Sequence, residues 1–299
     1  MPIRYAVSFS LLLLTLAFAA AASAQVQSQQ ISDNFHVIYG PGGNIGVYTG
    51  VDGIIVIDTK FAPQSTQIKT LIEQISSDNI NFVINTHWHG DHTGGNENFA
   101  TDGALIVAHE QVRRRMSMEV FLPLYNSRTT AAPGRALPTI TFTDDISFHA
   151  GDETITAIHV PHAHTDTDAI VHFREANIIQ LGDLLWTDGY PRIDVQNGGG
   201  SVDGVISALH RALELANDET QFISGHGPVP PRGKRLVQNY VMMLQTVRNR
   251  VASMIADGLS LPQIINARPT EDFDPEWGGV DPYIDGEMFT RIVYISLLK

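Results

Sequence analysis

The chain has 299 residues, 43% of them of apolar type, enough for one large domain or two small ones. Its formal net charge is −13, which argues against the broad basic face that nucleic acid or an anionic membrane requires. It contains no cysteine, so no disulfide staples it and any metal site must be built from His and carboxylates.

Residues 1–24 read as a secretory signal peptide. Arg4 gives a positive start, residues 7–22 are apolar and small, and Ala22-Ser23-Ala24 is an A-x-A cleavage site before Gln25. A membrane anchor would need about 20 strongly apolar residues and no such site. The expected mature chain, residues 25–299, is therefore periplasmic or secreted, and soluble with no membrane insertion after cleavage.

Residues 35–39, 44–49 and 54–58 read as strands, the last two joined by a turn at Asp52-Gly53. Residues 64–76 read as a helix with Ile68, Leu71, Ile72 and Ile75 on one face. A buried strand at 81–84 follows, then a strand at 104–108 and a helix at 109–118. Pro123, Pro133, Gly134 and Pro138 mark 122–138 as a long loop. Strands are expected at 140–142, 146–149, 154–160, 169–173 and 178–181. A helix at 202–216, a strand at 221–224, a long helix at 237–256 and a closing helix at 287–298 complete the chain. Strands then helix, twice, with no Pro- or Ser-rich linker, suit two helix-covered sheets packed face to face. That is a four-layer αββα sandwich of the α/β class, in a single domain with C-terminal helices.

Residues 85–92 carry the strongest chemical signal. They read Asn-Thr-His-Trp-His-Gly-Asp-His and place His87, His89, Asp91 and His92 within six positions. Imidazole and carboxylate are ligands that zinc prefers. Neighbouring side chains diverge, so so dense a run suits two metals better than one. Three further candidates sit at strand ends: His164, Asp183 and His226. His162, two residues from His164, is its rival.

The His87-Trp88-His89-Gly90-Asp91-His92 run, with His164, Asp183 and His226 in that order, resembles the metallo-β-lactamase superfamily. The resemblance implies the αββα sandwich, with metals at one edge between the sheets. It implies that His87, His89 and His164 hold one metal, that Asp91, His92 and His226 hold the second, and that Asp183 bridges them as in the glyoxalase II-like and lactonase-like branches. It favours His164 over His162, because His-Thr follows the family pattern. It gives Asp91 a catalytic part, holding its metal and orienting the nucleophile. The cofactor expected is zinc, two per chain, although an all-N/O set also accepts Fe or Mn.

The function implied is an exported dinuclear hydrolase in which a metal-bridging hydroxide attacks a small acyl substrate (lactam, lactone, ester or thioester). One β-lactamase subclass carries Cys at the Asp183 position and another lacks the bridging carboxylate, so Asp183 pulls toward general hydrolases. Trp186 stands where lactonases tend to have Tyr, and residues 258–299 are acidic, unlike the basic glutathione-binding end of glyoxalase II. The alternatives are an iron-containing oxidoreductase of the same fold and a non-enzymatic metal-binding protein. The partner expected is a small-molecule substrate, with no nucleic acid. Trp88, Trp186 and Tyr190 are candidates for an apolar wall, and Arg192 for meeting a substrate carboxylate. Arg113, Arg114 and Arg115 read as a solvated helix face, His109 as a cap or an exposed side chain, and Ser224 as structural. His36, His149, His159, His172 and His210 have no motif around them.

Overall fold

The computed structural model describes residues 25–122, 127–230, 233–278 and 284–299. Residues 1–24, the expected signal peptide, and residues 123–126 of the expected loop lie outside these. Among the described residues, no helix is long and apolar enough to cross a membrane.

The first half builds a seven-stranded sheet from β1 (Gln27–Ser32), β2 (Phe35–Tyr39), β3 (Ile45–Gly50), β4 (Gly53–Ile57), β5 (Ile80–Ile84), β6 (Leu105–His109) and β9 (Ile140–Phe142), in that spatial order. Strands β1 to β4 are antiparallel, and β4, β5, β6 and β9 are parallel. Parallel neighbours need long crossovers. These contain α1 (Ser65–Ile75), α2 (Gly90–Thr93), α3 (Asn96–Thr101) and α4 (Glu110–Met116). The last crossover also holds the small pair β7 (Val120–Leu122) and β8 (Ser127–Thr129), so the expected 122–138 loop is partly structured.

The second half builds a five-stranded sheet from β10 (Asp145–Ala150), β11 (Glu153–His159), β12 (Ala169–Phe173), β13 (Ile178–Gln180) and β14 (Gln221–Ile223). Its one parallel pair, β13 with β14, is joined through α5 (Val202–Leu215). There follow α6 (Lys234–Ala256), α7 (Leu261–Asn266), α8 (Asp274–Trp277) and α9 (Gly286–Leu297).

Side chains alternate along a strand, so a strand apolar throughout feeds two cores. In β4, Ile54 and Val56 face outward onto Ile68 and Ile72 of α1 and Phe99 of α3. Ile55 and Ile57 face inward, where they join Phe35, Ile84 and Val107 against Ile155, Val171, Phe173 and Ile223 of the second sheet. Ile170, Ile179 and Phe222 turn outward from that sheet onto α5, α6 and α9. Each buried Ile or Phe stabilises by roughly 1.5–3 kcal/mol. Three apolar interfaces separate four layers, the αββα sandwich expected from the sequence. Strand β1 escaped prediction because Gln27–Ser32 is polar and largely exposed, with no apolar alternation.

Candidate metal centre

Parallel strands end together, and loops at their carboxyl ends share one rim. His87 to His92 follow β5, Asp183 follows β13 and His226 follows β14. His164 lies in the turn between β11 and β12. This rim brings all seven predicted side chains together. His87, His89, His164 and Asp183 form one group and Asp91, His92 and His226 another, with potential ligand atoms within 4.8 Å of one another in each.

Asp183 joins the two groups. Its Oδ2 lies 3.5 Å from His164 Nε2 and 3.9 Å from His87 Nε2. Its Oδ1 lies 3.0 Å from His92 Nε2 and 3.4 Å from His226 Nε2. Asp91 Oδ2 stands 3.2 Å from His226 Nε2 and 3.6 Å from His92 Nε2.

The outward ring nitrogens are tied down. His92 Nδ1 donates to Asp58 Oδ2 at 2.8 Å, and His87 Nδ1 donates to Thr86 Oγ1 at 3.1 Å. His164 Nδ1 donates to the Arg192 carbonyl, and His89 Nε2 lies 3.4 Å from Asp194 Oδ2. With those N–H groups outward, the remaining ring nitrogens point inward, where the neutral imidazoles would offer the lone pairs that metal ligation requires. His162 stays out of the group: it is exposed, with Nδ1 on the Gly199 carbonyl.

Electrostatics follow from burial among carboxylates. Burial pushes His87 far down, and pushes His164 down to about 4 despite Asp183. Burial also opposes charge on His92 and His226, but Asp183 and Asp91 outweigh it, raising His92 well above the usual range and His226 to about 9. Burial would raise Asp183 and Asp91, yet His226 and His92 hold both below the usual carboxylate range. Without a cation, Asp183 and Asp91 favour protonated His92 and His226, and a cation bound there would displace those protons.

The donor set fits metal ions. His87 Nε2, His92 Nε2, His226 Nε2 and Asp183 Oδ1 are buried and make no hydrogen bond. A buried polar atom without a partner costs about 1–3 kcal/mol, and several in one place call for a ligand. The surrounding backbone is cut to the same shape: a Cβ on Gly43 would lie 2.0 Å from His92 Cε1, and one on Gly225 2.2 Å from Asp183 Oδ1.

Two supporting carboxylates were not read from the sequence. Asp58, fully buried just after β4 with φ 65°, accepts from the Thr86 amide at 2.8 Å and Thr86 Oγ1 at 2.7 Å besides facing His92. An Asp that follows a run of buried strand residues was the available signal. Asp194 sits in the glycine-rich stretch after Asp183, where nothing marked it.

Other expectations met mixed outcomes. Trp186 stacks on His226 at 4.0 Å, and Trp88 also lines the cavity over the ligands. Tyr190 does not: it is fully buried against Phe289, its hydroxyl donating to Asp274 at 2.9 Å. The arginine triplet is no plain solvated face. Arg115 makes two bonds to Asp166 at 2.5 Å and lies 5.6 Å over the Trp88 ring, while Arg113 reaches the Pro138 carbonyl. His109 caps α4 and stacks on His159. Ser224 is buried, its carbonyl accepting from the Asn44 amide.

Residues 38–226 match the family model described as the metallo-beta-lactamase superfamily. Among solved structures, a metallo-beta-lactamase from Pontibacter korlensis superposes with TM-score 0.59 at 19% identity, covering 74% of this chain and 99% of that one. A metallo-beta-lactamase with a HARLDQ motif from Cronobacter sakazakii gives 0.62 at 21%, covering 78% and 97%. The sec-alkylsulfatase Pisa1 from Pseudomonas sp. gives 0.63 at 15%, covering 91% of this chain, which spans 50% of that enzyme. At these identities the likeness is one of fold.

Proposed function

The chain belongs to the metallo-beta-lactamase superfamily, and from that premise we propose that it is an exported hydrolase that uses two divalent ions to cleave a small acyl substrate: a lactam, lactone, ester or thioester. The observation that carries this reading is the division of Asp183. One oxygen faces His87 and His164, and the other faces His92 and His226. A buried carboxylate shared in this way suits a pair of ions.

On this reading His87, His89 and His164 would hold one ion, Asp91, His92 and His226 the other, and Asp183 would serve both. Zinc suits the set, and Fe or Mn fits the same donors. When bound, such ions supply a water acidified to near neutrality and a Lewis acid for the carbonyl oxygen. The chain's own groups do the orienting. Asp91, 24% exposed, borders the cavity, where its carboxylate would accept a hydrogen bond from an attacking water. Asp58, Thr86, Asp194 and the Arg192 carbonyl keep the imidazoles from rotating. Trp88 and Trp186 flank the reacting end and limit its access to bulk water. Residues 1–24 direct export and are removed.

The test is metal analysis of the purified protein with a hydrolysis panel of lactams, lactones, esters and thioesters, before and after chelation. About two equivalents of metal per chain and turnover lost on chelation are expected. Absence of bound metal, or hydrolysis that survives chelation, overturns the reading.

A further inference from the structure

The ligands His89, Asp91, His164 and Asp183 form one end of a cavity of about 600 Å³. Its remaining walls are mostly apolar, and one of them is α9. That helix is apolar on two sides. Phe289 and Val293 pack into the core under the second sheet. Met288, Ile292 and Ile295, spaced four and then three residues apart on an adjoining face, meet the edge of the same core and also border the cavity. A surface helix of a globular protein buries one apolar stripe and turns polar residues outward. A second stripe over a catalytic cavity calls for an apolar occupant.

The opposite wall agrees. Phe61, Trp88, Trp186, Ile193 and Val195 also line the cavity. Its polar lining groups are largely engaged: Asp194 with His89 and the Asn197 amide, Arg291 with Glu287, and Arg192 over the Trp186 ring at 5.1 Å. The wall is also anchored at its end, where Lys299 Nζ donates to the Val195 carbonyl and Ser296 Oγ accepts from the Val202 amide. Residues 288–295 lie outside the stretch 38–226 that matches the family model.

We infer that the substrate carries a hydrocarbon tail or ring system that lies along Met288, Ile292 and Ile295 while its polar, cleavable group faces the metal ligands. The inference rests on the hydrolase reading for the cleavable group and on the cavity alone for the apolar part.

Two series test it on the metal-loaded, full-length protein. The first is hydrolysis of 4-nitrophenyl esters from acetate to decanoate. The second is binding of 1-butanol through 1-decanol, read by Trp88 and Trp186 fluorescence and by calorimetry. Both kcat/KM and alcohol affinity should rise about two- to fourfold per methylene until the cavity is filled. Ile292→Asn and Ile295→Asn should lower the ratio of decanoate to acetate turnover and flatten the alcohol series, with circular dichroism and metal content unchanged. If either variant fails to fold, the alcohol series on the native protein still decides. Affinity independent of chain length overturns the inference, even if short esters are cleaved. Chain-length-dependent alcohol binding with no ester turnover supports it and counts instead against the ester-hydrolase reading.

Discussion

Asp58 Oδ2 lies 2.8 Å from His92 Nδ1, and both side chains are fully buried. The pair ties the end of β4 to the ring that shares Asp183 Oδ1. Asp58→Asn keeps an oxygen for the Thr86 amide but turns an NH2 toward an N–H. Removal of such an outer partner typically costs 10–100-fold in metal affinity. A zinc titration against a competing chelator should show a loss of about that size. Unchanged affinity would show that His92 is oriented without Asp58.

His162→Ala and His164→Ala separate two neighbouring imidazoles. His164 Nε2 sits 3.0 Å from His89 Nδ1 and faces Asp183, whereas His162 is exposed. Metal analysis should find His162→Ala fully loaded and His164→Ala short of about one ion per chain. The reverse result would reassign the ligand.

Arg115 joins α4 to the loop that carries Asp194. It holds Asp166 through two bonds and the Asn197 carbonyl through a third at 2.8 Å. Its partly buried, bidentate geometry lifts it above the usual surface pair. Arg115→Ala should lower unfolding free energy by about 2 kcal/mol and weaken metal retention through His89. Arg115→Lys should recover only part of this, because an ammonium cannot make the paired contact. Denaturant unfolding of the three proteins checks the order.

His109 and His159 stack at 3.6 Å with ring planes 4° apart, across the gap between the ends of β6 and β11. Burial lowers the pKa of both, and for His159 the neighbouring His109 lowers it further. A folded-state pKa below the unfolded value of about 6.5 means that the unfolded chain binds more protons as pH falls below that value. The stack's contribution is therefore full above pH 6.5 and is lost as pH drops through the lowered values. Melting temperature should fall from pH 7 to pH 5, and less so in His109→Gln, which can still cap α4. Equal falls in both proteins would remove the stack from the account.

Much of the fold was legible because β4, β5, β6, β12 and β13 are short apolar runs and α1, α5 and α9 keep helical spacing. The residues that could not be read are those whose reason is another part of the chain. Asp58 looks like any residue ending a strand until Thr86 and His92 arrive beside it. Tyr190 looks like a cavity residue by its nearness to Asp183, yet its ring goes to Phe289 and its hydroxyl to Asp274. The seven ligand candidates were legible because their chemistry is written in residue type and order, while the cavity beside them depends on which distant helix lies across it.

The ligands are divided between the two sheets, with His87 to His92 on one and His164, Asp183 and His226 on the other. The layer between is filled by pairs such as Phe35 edge-on to Phe173 at 4.9 Å and Phe82 against Phe148 at 5.1 Å. Each ligand group draws on both sheets, so that layer acts as a spacer whose thickness sets how far apart the two halves of each group stand. A Phe173→Leu change replaces no ligand, yet it thins the spacer. Interior aromatic rings far from the rim therefore share in holding the two halves of each ligand group at their distance, and a zinc titration would register their substitution as a change in affinity.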